Sequence, residues 1–170
     1  CILFGDGAGA AVVQAEEGEL YPSVAGSDGT MGHVLACESR VQNDWQQKEA
    51  DRKTYIDMDG TAVFKFAVRK MPEMAKSLMT QMHCTEADID WFITHQANER
   101  IIEAIAKRLK SDIAKFPMNI AECGNTSSAS IPILLDEMNR SGQLKDGQKI
   151  VMAGFGAGLS WGAVYMEWHA

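Results

Sequence analysis

Three short segments hold groups that could bind and polarise a carbonyl: Thr94-His95-Gln96-Ala97-Asn98, Gly124-Asn125-Thr126-Ser127-Ser128-Ala129-Ser130 and Gly154-Phe155-Gly156-Ala157-Gly158. A histidine and an asparagine that converge on one carbonyl oxygen can stabilise the enolate formed when a carboxylate leaves the adjacent carbon. Glycines let backbone N–H groups approach a substrate closely, so one N–H of the third segment could line an oxyanion hole. Each segment also has a plain structural reading. His95 alone is a satisfied structural histidine, Asn125 a helix cap or packing residue, and the glycines a hairpin turn. The pairing of two donors on neighbouring strand-to-helix loops is what turns the reading toward chemistry. A nucleophile is missing from the set: Cys123 lies two residues before Asn125, but nothing near it in sequence lowers a thiol pKa. No lysine follows the glycines, and a strand comes next in place of a helix, which argues against a phosphate-binding loop. The chain reads as half of an active site.

The elements that must position these groups follow from periodicity. Ala10 to Gln14 is a short apolar run after a glycine-rich turn, predicted as a buried strand. Tyr21 to Asp57 is irregular and polar, predicted as surface loop with one strand at most. From Ala62 to Met82, Phe64, Ala67, Val68, Met71, Ala75, Leu78, Met79 and Met82 mark one face of a helix that Pro72 should kink or split. Thr85-Glu86-Ala87-Asp88 has the pattern of a capping box. Trp91 to Thr94 predicts a strand running into His95. A helix follows from Asn98 to Lys110, burying Ile101, Ile102, Ile105 and Leu109, and then a short strand from Phe116 to Ile120. A third helix leaves the Asn125 loop and ends near Arg140, with Gly142 as its cap. Gln148 to Phe155 and Ser160 to Trp168 predict an antiparallel pair across the glycine turn. Strands alternating with helices make an α/β layered domain.

Composition limits the function classes. The 170 residues are 46% hydrophobic and 23% charged, as expected for a domain with a real core. A net charge of −7 argues against general nucleic-acid affinity. Neither a bilayer-spanning apolar run nor a leader pattern stands out, so a cytoplasmic protein is the expectation. Cys1, Cys37, Cys84 and Cys123 lack metal or disulfide spacing and are read as free thiols, and no metal is expected. Basic residues cluster locally: Arg100, Lys107, Arg108, Lys110 and Lys115 in one stretch, Lys65, Arg69, Lys70 and Lys76 in another. Such a patch is either a solvated helix face or a surface that steers an acidic partner.

Gly5-Asp6-Gly7-Ala8-Gly9-Ala10, His95-Gln96-Ala97-Asn98, Gly124-Asn125-Thr126-Ser127 and Gly154-Phe155-Gly156 through Trp161-Gly162, in this order and spacing, resemble the C-terminal half of a β-ketoacyl-acyl-carrier-protein synthase III. The resemblance covers nearly the whole chain. It implies a thiolase-like condensing-enzyme fold, α/β, the C-terminal half of an αβαβα layered sandwich with a mixed β-sheet. Residues 1–20 resemble the last strand of the N-terminal half and residues 21–170 the C-terminal condensing domain. Chalcone-synthase-like and hydroxymethylglutaryl-CoA-synthase-like proteins share the architecture, but the Thr94 to Asn98 motif fits the fatty-acid enzymes better.

The resemblance implies decarboxylative condensation of an acyl-CoA primer with malonyl-acyl-carrier-protein to start fatty acid synthesis, with both as substrates and no cofactor. His95 and Asn125 match the last two members of a Cys-His-Asn triad whose nucleophile lies on the N-terminal half. Phe155 and Gly156 match positions close to the reaction centre. Gly60, Phe64 and Asn98 resemble residues of the tunnel for the pantetheine arm of CoA, although Thr61 stands where some relatives have asparagine. Lys65, Arg100, Lys107 and Arg108 resemble the acyl carrier protein docking patch. The implied partners are acyl carrier protein, acyl-CoA and the N-terminal half or a partner subunit, with a homodimer when complete. The chain alone is expected not to condense. The other reading is a non-catalytic scaffold or regulatory half-subunit that binds acyl carrier protein or a partner synthase subunit.

Overall fold

The computed structural model of the chain describes residues 4–14, 17–18, 20–37 and 55–169. Its centre is a four-stranded mixed sheet of β1 (Ser23–Ser27), β4 (Trp91–Thr94), β5 (Lys149–Gly156) and β6 (Ser160–Glu167), in the spatial order β1-β6-β5-β4. β4 lies parallel to β5, and the other two pairings are antiparallel. A separate antiparallel pair joins β2 (Leu35–Cys37) and β3 (Ile56–Met58).

Helices cover both faces of the sheet. α1 (Gly60–Gln81) and α2 (Glu99–Leu109) lie on one side, where Met71, Leu78, Ile102 and Ile105 pack with Phe92, Val151 and Tyr165. α4 (Ser130–Arg140) lies on the other, where Leu134 and Met138 pack with Ile93 and Ile150. Successive strand residues thus serve opposite layers, which is why β4 is apolar at every position from Trp91 to Ile93. Among the described residues, no helix is long and apolar enough to cross a membrane.

The helix expected from Ala62 is continuous through Pro72, not split there. Proline has no N–H, so the carbonyl of Val68 loses its ordinary helical donor. The Arg108 guanidinium on α2 donates to that carbonyl instead, from Nη1 at 3.3 Å. The Thr85 turn is capped as expected, with the Asp88 carboxylate accepting from the Thr85 backbone N–H and hydroxyl, both at 2.7 Å.

Two expected strands are absent. Residues 10–14 have no strand beside them among the described residues, and Val12 and Val13 are 97% and 92% exposed. Residues 116–119 form coil leading into a short helix, α3 (Ile120–Cys123). Phe116 is buried there by stacking on Phe92, with ring centroids 4.8 Å apart. The backbone beside it is met by a buried side chain, because Gln96 Oε1 accepts from the Asn119 N–H at 3.3 Å and Gln96 Nε2 donates to the Pro117 carbonyl at 3.4 Å. One glutamine replaces a neighbouring strand. Conversely, the stretch from Tyr21 to Asp57, expected as loop, contains β1, β2, part of β3 and a 3-10 turn over Gly29–Val34. The edge of β6 supplies the partner for β1, which local sequence does not reveal.

Tyr165 is 2% exposed on β6, and burial pushes its phenol up to about 12. The unfolded phenol titrates near 10, so its contribution to stability is full below about pH 10 and is lost as pH rises toward about 12. Alkaline absorbance titration, compared with a Tyr165→Phe variant, should show Tyr165 resisting ionisation until the fold gives way. Ionisation of Tyr165 near pH 10 in the folded protein would contradict this packing.

Candidate functional site

His95 stands where β4 ends against the centre of the sheet. Its backbone N–H donates to the Ala153 carbonyl of β5 at 2.9 Å, extending the ladder by one residue. Its ring packs against that of Phe155 in a T-shaped arrangement at a centroid distance of 5.6 Å. Nδ1 lies 2.7 Å from the hydroxyl of Ser130, the first residue of α4. Burial holds the imidazole pKa below its ordinary value, so the ring is neutral at neutral pH.

Asn125 follows α3 across Gly124, whose φ of +67° is backbone that glycine adopts without strain. The Asn125 Oδ1 accepts from the Ser127 backbone N–H at 3.0 Å. That donor must meet an oxygen, so the amide orientation is determined and Nδ2 remains as a donor. The capping reading and the chemical reading of Asn125 are therefore compatible, because they use opposite ends of one amide. The Asn125 carbonyl accepts from the Gly5 N–H at 2.9 Å, and Phe4 pairs with Asn125 in an isolated parallel bridge. An added Cβ on Gly5 would overlap the Cys123 carbonyl oxygen. The first glycine of the Gly5 to Ala10 motif thus permits the backbone contact that holds the Asn125 loop.

His95, Asn125, Phe155 and Gly156 line one cavity of about 640 Å³, and Gly60, Phe64 and Asn98 line it as well. Seven residues singled out from separate motifs converge on a single space. Gly60 opens α1, whose N-terminal amides of Thr61 and Ala62 are capped by Asp59 at 3.0 Å. Asn98 caps α2 through Oδ1, which accepts from the Arg100 N–H at 2.9 Å. The cavity also has apolar walls that the sequence reading passed over, including Leu35, Met58, Val63 and Ile101. The hydrophobic pattern marks Ile101 as a core residue, and a second exposure to the cavity has no signature in that pattern.

Cysteine is where sequence reasoning was least complete. Cys123 does not line the cavity, and its thiol lies 3.7 Å from a Glu137 carboxylate oxygen. Desolvation, with Glu137 and Glu122 nearby, raises its pKa, the opposite of what a nucleophile needs. Cys37 on β2 does line the cavity and is exposed. Its position depends on the β2–β3 pairing, which no local pattern announces.

The basic stretches meet on the surface of α1 and α2. Lys65, Arg69 and Arg108 line a shallow depression that shares Phe64 with the cavity. Arg100 and Lys107 are exposed on α2. Arg108 is engaged with the Val68 carbonyl as well, so its charge and its structural bond act at once.

Comparison with known proteins bears on this arrangement. The family model for the C-terminal part of 3-oxoacyl-[acyl-carrier-protein] synthase III matches residues 79–168. The β-ketoacyl-[acyl-carrier-protein] synthase III of Clostridium novyi is 44% identical over 171 residues, covering 99% of this chain and 53% of that protein. Its counterpart from Clostridioides difficile is 46% identical over 171 residues, covering 98% and 52%. The solved 3-oxoacyl-(acyl carrier protein) synthase III of Pseudomonas aeruginosa PAO1 superposes with a TM-score of 0.79 at 37% identity, over 94% of this chain and 47% of that one. The β-ketoacyl-[acyl carrier protein] synthase III of Thermus thermophilus gives 0.80 at 35% identity, over 93% and 49%. The chain spans about half the length of the curated relatives it matches.

Proposed function

This chain belongs to the 3-oxoacyl-[acyl-carrier-protein] synthase III family, with the α/β thiolase-like fold and mixed sheet of that family's C-terminal region, and on that premise we propose that it supplies the histidine and asparagine of a decarboxylating condensation site. One observation carries the reading: His95 and Asn125 line the same cavity, each held by the protein at one end and left with a nitrogen at the other. A non-catalytic scaffold has no use for that arrangement.

In this proposal the malonyl thioester oxygen receives hydrogen bonds from His95 Nε2 and Asn125 Nδ2. The bond to the departing carboxylate breaks, carbon dioxide leaves, and its electron pair becomes the enolate that the two donors stabilise. The enolate carbon attacks an acyl-cysteine thioester, the thiolate departs, and a β-ketoacyl product remains on the carrier. The apolar cavity strengthens both donor bonds by excluding water. A backbone N–H near Gly156 takes the second developing oxyanion. The pantetheine arm enters past Gly60, Phe64 and Asn98, and the acidic carrier protein rests on Lys65, Arg100, Lys107 and Arg108. The nucleophilic cysteine comes from the family's N-terminal half, to which residues 1–20 belong, with a cytoplasmic homodimer as the complete form.

Incubating the protein, as its source cells make it, with radiolabelled acyl-CoA and mapping the labelled peptide tests the assignment. The acyl group should sit on a cysteine outside these 170 residues. Label on Cys37 or Cys123 would overturn it, and Cys37 is the residue to watch because it lines the cavity. Docking is tested apart from chemistry. Reversing charge at Lys65 and Arg100 together should lower kcat/KM for the carrier-bound substrate about tenfold at low salt, with the difference shrinking as salt is added. Decarboxylation of a small malonyl thioester should be unchanged by the same pair. Arg108 is left out because replacing it would also release the Val68 carbonyl.

A further inference from the structure

Resting on the reading of His95 as a donor to the thioester oxygen, we propose that Ser130 is a positioning residue that holds His95 in the Nε2–H tautomer. Ser130 is 2% exposed, and its hydroxyl oxygen lies 2.7 Å from His95 Nδ1. The same oxygen accepts the backbone N–H of Gln96 at 3.2 Å. With that lone pair used, the hydroxyl proton needs an acceptor, and among the described residues the one in reach is Nδ1. If Nδ1 carried the proton instead, it would donate to the serine oxygen and leave a buried hydroxyl hydrogen without a partner. The ring proton is thereby placed on Nε2, the nitrogen left for the cavity that His95 lines. The Phe155 ring packs against the imidazole, and the backbone bond to Ala153 fixes the main chain that carries it. Burial keeps the ring neutral, so the choice between tautomers is a real one.

Ser130 sits thirty-five residues from His95 in the chain, and its position at the start of α4 gives it an ordinary structural appearance. The backbone of Gln96 adds to the coupling, because one serine holds both the histidine side chain and the residue after it.

Nitrogen NMR of the imidazole in the protein isolated from its source cells, near neutral pH, tests the assignment. The unsubstituted protein should show His95 as the Nε2–H form. Ser130→Ala should mix the tautomers and lower malonyl-thioester decarboxylation about tenfold, the change that one net hydrogen bond corresponds to. Ser130→Thr keeps the hydroxyl and should restore both readouts. An Nδ1–H or cationic His95 in the unsubstituted protein would overturn the proposal without any variant. So would an unchanged Nε2–H signal in Ser130→Ala. If the tautomer behaves as expected but His95→Ala leaves decarboxylation intact, the functional reading falls and the assignment of Ser130 stands.

Discussion

Asn125→Ala in the protein as its source cells make it should reduce malonyl-thioester decarboxylation by roughly 10²–10³-fold, the usual cost of removing one oxyanion donor. The size follows from geometry. Asn125 Oδ1 is committed to the Ser127 N–H, so Nδ2 is the end of the amide left to donate in the proposed site. Alanine removes both ends of the amide, and a companion variant separates them. Asn125→Asp keeps an acceptor for Ser127 and should melt close to the unsubstituted protein. It nevertheless places a carboxylate where the proposed enolate would gather negative charge, so decarboxylation should fall at least as far as with alanine. Carbon dioxide release from a malonyl thioester, measured beside thermal unfolding, distinguishes the cases. Full activity in both variants would remove the catalytic reading and leave the scaffold.

Gly5→Val should cost about 10²-fold in the same assay although Gly5 bears no chemical group. Its new side chain would meet the Cys123 carbonyl, which precedes the Asn125 loop by two residues. The loop and the segment bearing Phe4 are joined by the Gly5 N–H to Asn125 carbonyl bond, so neither moves alone. A displacement near 1 Å of a positioned group is enough for a loss of this size. Overpacking should also lower stability by about 1–3 kcal/mol. Gly18 offers the control, since nothing lies within 4 Å of a Cβ added there. Gly18→Val should leave both activity and melting unchanged. If Gly5→Val melted lower yet kept its activity, the glycine contact would be a packing feature with no hold on Asn125.

Much of the machinery was legible in the chain. The three-to-four-residue spacing on α1 and α2 follows from helical geometry, and Thr85 with Asp88 announces a cap three residues long. β4, β5 and β6 were readable from apolar runs bounded by turns, and the glycines between β5 and β6 from the need for a tight reversal. His95, Asn125, Phe155 and Gly156, from three separate motifs, line one cavity.

Other features depended on partners distant in sequence. Phe116 to Ile120 has the apolar pattern of a strand, yet Gln96 takes its backbone bonds and no ladder forms. Val12 and Val13 read as core and stay exposed, while Tyr21 to Asp57 reads as loop and gains β1 from the waiting edge of β6. Pro72 reads as a break, and Arg108 from another helix satisfies the carbonyl that proline leaves open. Residue type and local spacing determined which helices form and which chemical groups are on hand, because capping and periodic burial act within a few residues. Tertiary structure alone decided which backbone groups find a partner, that Cys37 enters the cavity, and that Ser130 meets His95, because a hydrogen bond is completed by whatever the fold brings within about 3 Å of it.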